Sequence, residues 1–132
     1  MGAASEICKE YLILSRRLIR RLAKEFGIEP PKIRVIPSIV NPFVSAFYDE
    51  GTLTINLSGL QDVDILLHEL AHHIMKVKGI GLDVSDDIEE LSDELARYIK
   101  ELVMEKWFNI YTRLRELYVE YENLVALSYK EQ

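Results

Sequence analysis

The chain has 132 residues, and 16 Lys and Arg against 22 Asp and Glu leave a formal net charge of −6. One domain's worth of residues, 48% of them hydrophobic, excludes a disordered tail, and the acidic balance excludes a chain whose main work is neutralising nucleic-acid phosphates. The single cysteine, Cys8, excludes an internal disulfide and any paired-thiol metal or redox site, which points to a reducing compartment.

In chain order, residues 5–26 space Ile7, Tyr11, Leu14, Leu18 and Leu22 for one apolar face of a helix, which Gly27 stops. Arg16, Arg17, Arg20, Arg21 and Lys24 on that helix read as a solvated face. The β-branched run 33–36 ends at Pro37 and predicts an exposed or edge strand, followed by a loop carrying Asn41-Pro42. Runs 44–48 and 52–57, joined by Asp49-Glu50-Gly51, predict a hairpin in which Gly51 takes the positive φ. In the second run Leu53, Ile55 and Leu57 alternate with Thr52, Thr54 and Asn56, so one face goes to a core and the other stays polar.

Residues 62–78 switch to a helical period that Gly79 and Gly81 end, and Ser85 is the expected N-cap of the next helix, with Asp86 and Asp87 in its first turn. From residue 82 onward there is neither Gly nor Pro, yet one helix to the end would exceed ordinary globular length, so a break is expected at 107–110. The seam of Trp107, Phe108, Tyr111, Leu114, Leu117, Tyr118, Tyr121 and Leu124 is expected to pack on the domain or on a second copy, a homodimer through the C-terminal helix. No stretch reaches the roughly 18–20 apolar residues of a membrane span, and the opening MGAASEICKEY lacks the basic region and apolar core of a secretion signal. The expectation is a cytoplasmic chain with no membrane span and no nucleic-acid partner.

Chemistry concentrates in DILLHELAHHIM, residues 64–75, which contains HExxH within a helical pattern. His68 and His72 are four apart, so both imidazoles leave the same helix face and can point neutral nitrogens at one zinc ion. Glu69 is rotated by about 100° from His68, where it can reach a metal-bound water as general base but cannot join the ligand row. Chance would give this pattern on the order of once in a few hundred chains of this length, which makes coincidence the weaker reading. His73, about 140° round from His68, is expected to be solvated or to support a ligand from behind rather than to bind the metal.

A zinc site needs at least a third protein ligand, and no later histidine exists. Met75 and Lys78 stand where a metzincin would carry Gly and His. The acidic run on the next helix is the dense source of carboxylates. At 100° per residue, Ile88, Leu91, Leu95, Ile99 and Leu102 define its core-facing stripe, while Glu89, Asp93 and Ala96 form a row along the border. Glu90 and Glu94 turn further outward. Glu89 is therefore the chosen third ligand, and Asp93 the acid that orients a zinc-bound histidine through its other nitrogen. The competing reading is an acidic first two turns that only complement the helix dipole.

HExxH followed on the next helix by Glu89-Glu90-Leu91-Ser92-Asp93 resembles the gluzincin clan of zinc metallopeptidases, whose third ligand is that first Glu. With its small size, its hairpin and only 17 residues from His72 to Glu89, the chain looks most like the minimal archaeal minigluzincins, which are similar to the catalytic domains of integral-membrane CAAX prenyl endopeptidases. The resemblance covers about residues 33–100 and is motif-specific at 68–72 and 89–93. It implies that 52–57, centred on Thr54, Ile55 and Asn56, is a cleft-edge strand on which an extended peptide pairs. It also implies an oxyanion-stabilising group, for which Tyr98, Tyr111, Tyr118 and Arg97 are candidates. The C-terminal segment, or the tail 128–132, is a candidate cover that keeps such an enzyme latent.

The expected protein is thus a single α+β, zincin-like domain: a small, mostly antiparallel sheet with a hairpin, an active-site helix and a glutamate helix at about 33–104, plus an N-terminal helix and a C-terminal extension over 105–132. The expected activity is hydrolysis of peptide bonds in a peptide or protein substrate through a zinc-activated water. The alternative is a zinc-binding module without catalysis that acts through its C-terminal helix.

Overall fold

The computed structural model describes residues 2–36, 46–80 and 88–130. Among them the chain forms four helices and a three-stranded sheet in the order α1 (Ala3–Phe26), β1 (Lys32–Ile36), β2 (Ala46–Asp49), β3 (Thr54–Ser58), α2 (Val63–Lys78), α3 (Ile88–Lys106) and α4 (Phe108–Lys130), an α+β architecture. None of these helices is long and apolar enough to cross a membrane. The expected N-cap at Ser85 and its acidic turn lie outside the described residues.

Helix α1 buries Ile7, Tyr11, Leu18 and Leu22 along the face their spacing marks. It closes on Gly27 in the left-handed region (φ 66°), where no Cβ opposes the turn. Arg16, Arg17, Arg20, Arg21 and Lys24 are exposed.

The sheet departs from expectation in three ways. It is mixed rather than mostly antiparallel, because β1 pairs parallel and β2 antiparallel with β3. The order β1-β3-β2 makes β3 the central strand, so β1 is an edge as expected while Thr54, Ile55 and Asn56 are hydrogen-bonded on both sides. The turn into β3 is built differently too. Gly51 donates its N–H to the Asp49 side chain, an Asx turn, and the left-handed residue is Leu53 (φ 52°), half exposed and outside the strand. Ile55 and Leu57 enter the core as expected, and Thr54 and Asn56 keep the other face polar, but between two flanking strands they too are buried, and their side chains turn onto backbone carbonyls of Thr52 and Thr54.

Helix α2 ends on the left-handed Gly79. Helices α2 and α3 run antiparallel, with His72 opposite Glu89, His68 opposite Asp93 and Asp64 opposite Lys100. The buried stripe of α3 is Ser92, Ile99 and Val103, rotated by about 60° from the expected stripe toward the row bearing Glu89 and Asp93. Ile88 is exposed. Ser92 is small and satisfies its hydroxyl on the Glu89 carbonyl, so α3 can lie close on α2 along that row.

The break at Trp107 falls within the expected stretch. Its N–H still bonds the Val103 carbonyl, and its own carbonyl accepts from Tyr111, so α4 leaves at an elbow rather than after a loop. Tyr111, Leu114 and Leu117 of α4 belong to the same hydrophobic cluster as Tyr11, Leu18 and Leu22 of α1 and Leu66, Leu67 and Leu70 of α2. Helix α4 is therefore part of the one core, with Trp107, Tyr118, Tyr121 and Leu124 partly buried against it, while Phe108, Val119 and Leu127 stay exposed.

Candidate metal centre

Helix α2 places His68 and His72 one turn apart on its half-exposed side, with ring centroids 4.9 Å apart and planes at 82°. Their Nε2 atoms lie 3.3 Å apart. Two ligands each at the zinc–nitrogen distance from one tetrahedral centre are separated by about the same span. Across the helix pair, the two Glu89 carboxylate oxygens reach to 3.8 Å from His68 Nε2 and 3.7 Å from His72 Nε2. One ligand atom from each of the three residues can be chosen so that all lie within 4.8 Å of one another. This His-His-Glu group can hold a metal ion: two neutral imidazole nitrogens and one carboxylate, on two elements, with a side facing solvent.

Asp93 stands behind the ligands. Its Oδ1 is 3.3 Å from Nδ1 of His68, on the ring edge away from the ligand cluster, where a carboxylate favours Nδ1–H and leaves Nε2 free to bind metal. Glu69 points elsewhere from the ligand row. It is buried at 8% exposure, and that burial pushes its carboxyl pKa up, opposed by His72 and His68 and reinforced by Glu89. A carboxyl in such surroundings retains a proton more readily than one in water.

His73 differs from expectation. It is buried, outside the ligand group, and spans two distant elements: Nδ1 lies 2.7 Å from the Tyr48 hydroxyl on β2 and Nε2 lies 2.8 Å from the Glu29 carbonyl before β1. The carbonyl can only accept, so Nε2 carries the hydrogen and Nδ1 accepts from Tyr48. Burial lowers the pKa of His73, the Glu29 bond partly opposing, which favours this neutral form. The residue pins the sheet and the α1–β1 connection to the helix bearing His72. Its place directly after His72 in the sequence carries no signal for that role.

Thr54, Ile55 and Asn56 cannot receive a substrate strand. Their backbone groups already pair with β1 and β2, so the expectation of a cleft-edge strand at β3 is overturned. Of the oxyanion candidates, Tyr111 donates its hydroxyl to Asp64 and Tyr98 packs edge-on against Phe26. Arg97 lies in the groove beside His68. No residue of α4 lines that groove among the described residues, and the tail side chains beyond 127 lie outside the description. Sequence reasoning also missed Asp64, which accepts from Lys100 at 3.1 Å and Tyr111 at 3.0 Å and so ties α2, α3 and α4 together one turn before His68.

Comparison with family models, with curated proteins and with solved structures returned no match for this chain.

Proposed function

We propose that this chain is a zinc-dependent peptidase of the gluzincin type, on a zincin-like arrangement of sheet, active-site helix and glutamate helix. The observation that carries the reading is the three-residue group of His68, His72 and Glu89, with the two Nε2 atoms 3.3 Å apart and Glu89 closing on both from the facing helix. Two histidines and a glutamate are the donor set of catalytic rather than structural zinc, because they leave a coordination position for water or substrate. A zinc ion held there would supply a Lewis acid for a carbonyl and lower the pKa of its bound water toward about 7.

The remaining work falls to the protein. Asp93 holds His68 in the tautomer that presents Nε2. Glu69 takes a proton from the attacking water at a carboxylate oxygen while the water oxygen bonds to the peptide carbon. It then passes that proton to the departing amine nitrogen as the C–N bond breaks.

Elemental analysis and a cleavage assay on a peptide mixture, read by mass spectrometry, test this on the zinc-loaded full chain. Wild type should hold one zinc and cleave. Glu69→Gln should keep the zinc and lose cleavage by about 10²–10⁴-fold. Zinc-loaded wild type that cleaves nothing, or a Glu69→Gln variant as active as wild type, overturns the reading.

A further inference from the structure

A groove of about 440 Å³ runs between α2 and α3 from His68 toward the far end of the helix pair, in the size range of small-ligand sites. Leu67 and Ala96 give it an apolar floor, and its charges are arranged in order. Asp93 at the near end faces His68. At the far end the Lys100 ammonium is neutralised by Asp64, which also accepts from Tyr111. Between them stands Arg97, exposed on the groove wall and with no carboxylate within 4.0 Å among the described residues. Its usual helical partner one turn back, Asp93, is turned to His68 instead.

We infer that this groove is a substrate subsite in which Arg97 grips a carboxylate of the bound peptide, so that the favoured substrates carry either a free C-terminus or an Asp or Glu side chain close to the bond that is cut. This rests on the peptidase reading above. A guanidinium presents a planar fork of donors that matches a carboxylate with two parallel hydrogen bonds, and Arg97 has that fork unspent. Position sets the reach. Arg97 lies four residues beyond Asp93 on one helix, about 6 Å along its axis, and an extended peptide advances about 3.3 Å per residue. A carboxylate held by Arg97 therefore lies about two residues from the group beside His68. Lys100 already spends one donor and much of its charge on Asp64, which leaves Arg97 as the uncommitted cation on this wall.

The test is titration of the zinc-loaded full chain, followed by backbone amide NMR shifts, with two pairs of probes: N-acetyl-Ala-Ala against its C-terminal amide, and N-acetyl-Ala-Glu-amide against N-acetyl-Ala-Gln-amide. At least one acid should bind about tenfold more tightly than its neutral partner, and the pair that shows the preference identifies the carboxylate as terminal or side-chain. Arg97→Ala and Arg97→Gln should bring the ratio toward one, and Arg97→Lys should keep part of it. Acid and amide binding alike in wild type overturns the inference. So does a preference that survives in both Arg97→Ala and Arg97→Gln, since the carboxylate is then held by another group. Zinc content, measured on each protein, reports on the peptidase reading alone: wild type that holds no zinc sinks that reading, whereas normal zinc with no dependence on Arg97 sinks only the subsite.

Discussion

Helices α1 and α4 pack on one another with Tyr11, Leu18, Leu22, Leu114 and Leu117 closed to solvent. Helices α2 and α3 also pack closely, but along their open side they set His68, His72, Glu89 and Asp93 against each other, with the Glu89 and Asp93 side chains 76% and 60% exposed. The first pair removes apolar area from water and is worth several kcal/mol whatever else is bound. The second pair gathers donors that gain little from one another in water, since exposed charged contacts contribute about 0–1 kcal/mol, and gains much more from a cation placed among them. Stability and chemistry are thus divided between two helix–helix contacts in one small core, and each contact can be altered while the other is watched.

The largest separation should come from Leu114→Ala and Glu89→Ala measured side by side. Leu114 is fully buried, and its truncation should cost about 2–5 kcal/mol in urea unfolding while the folded protein keeps its zinc stoichiometry. Glu89→Ala should do the reverse: zinc affinity falls by about 100-fold or more in competition with a chelator, and the urea midpoint of metal-free protein stays where it was. Equal loss of stability in both variants would mean that the two contacts are not separate.

Asp93→Asn probes the contact from behind. The amide can still meet Nδ1 of His68 but no longer carries the charge that favours Nδ1–H, and zinc affinity should fall by about 10-fold, at the lower end of what such supporting partners contribute. An unchanged affinity would reduce Asp93 to an ordinary exposed acid.

The smallest effect is expected at the rim of the apolar pair. The Arg113 guanidinium meets both oxygens of Glu10 across α1 and α4 at 2.7 and 3.0 Å, and this bond holds the Glu10 carboxyl below its ordinary value of 4.5. A lowered folded pKa means that the unfolded chain takes up the proton first. The contribution is therefore complete above about 4.5 and is lost as pH falls through the lower folded value. Both side chains are partly exposed, so Glu10→Gln should flatten the acid limb of the stability profile by less than about 1 kcal/mol. A wild-type and a variant profile that coincide between pH 6 and pH 2, as about the range that brackets both states, would show that the bond contributes nothing.

The sequence legibly specified what one helix can specify alone. His68 and His72 share a face because four residues make about one turn, and Gly27 and Gly79 end their helices because glycine takes the left-handed conformation at no steric cost. The break near Trp107 was legible from helix length and from the low helix propensity of residues 107–110. Asp93 and Glu89 were legible as a pair on one row of α3, but their distances to the histidines depend on how α3 is rotated and slid against α2. That is a packing result, in which Ser92 rather than Ile88 faces inward.

Tertiary structure alone decided the rest. The alternation at 52–57 marks a strand but not its neighbours, and only the pairing of β1 across the sheet made β3 central and closed it to a substrate. The sequence of His73 looks like that of any helical surface histidine, because the two groups that bury and bond it come from residues 25 and 44 positions away. The same holds for Asp64 with Lys100 and Tyr111. Side-chain period and helix capping are properties of consecutive residues and so are written in the chain; strand order, helix rotation and the partner of a buried polar group depend on which distant surfaces exclude water together, and that is settled only when the whole core closes.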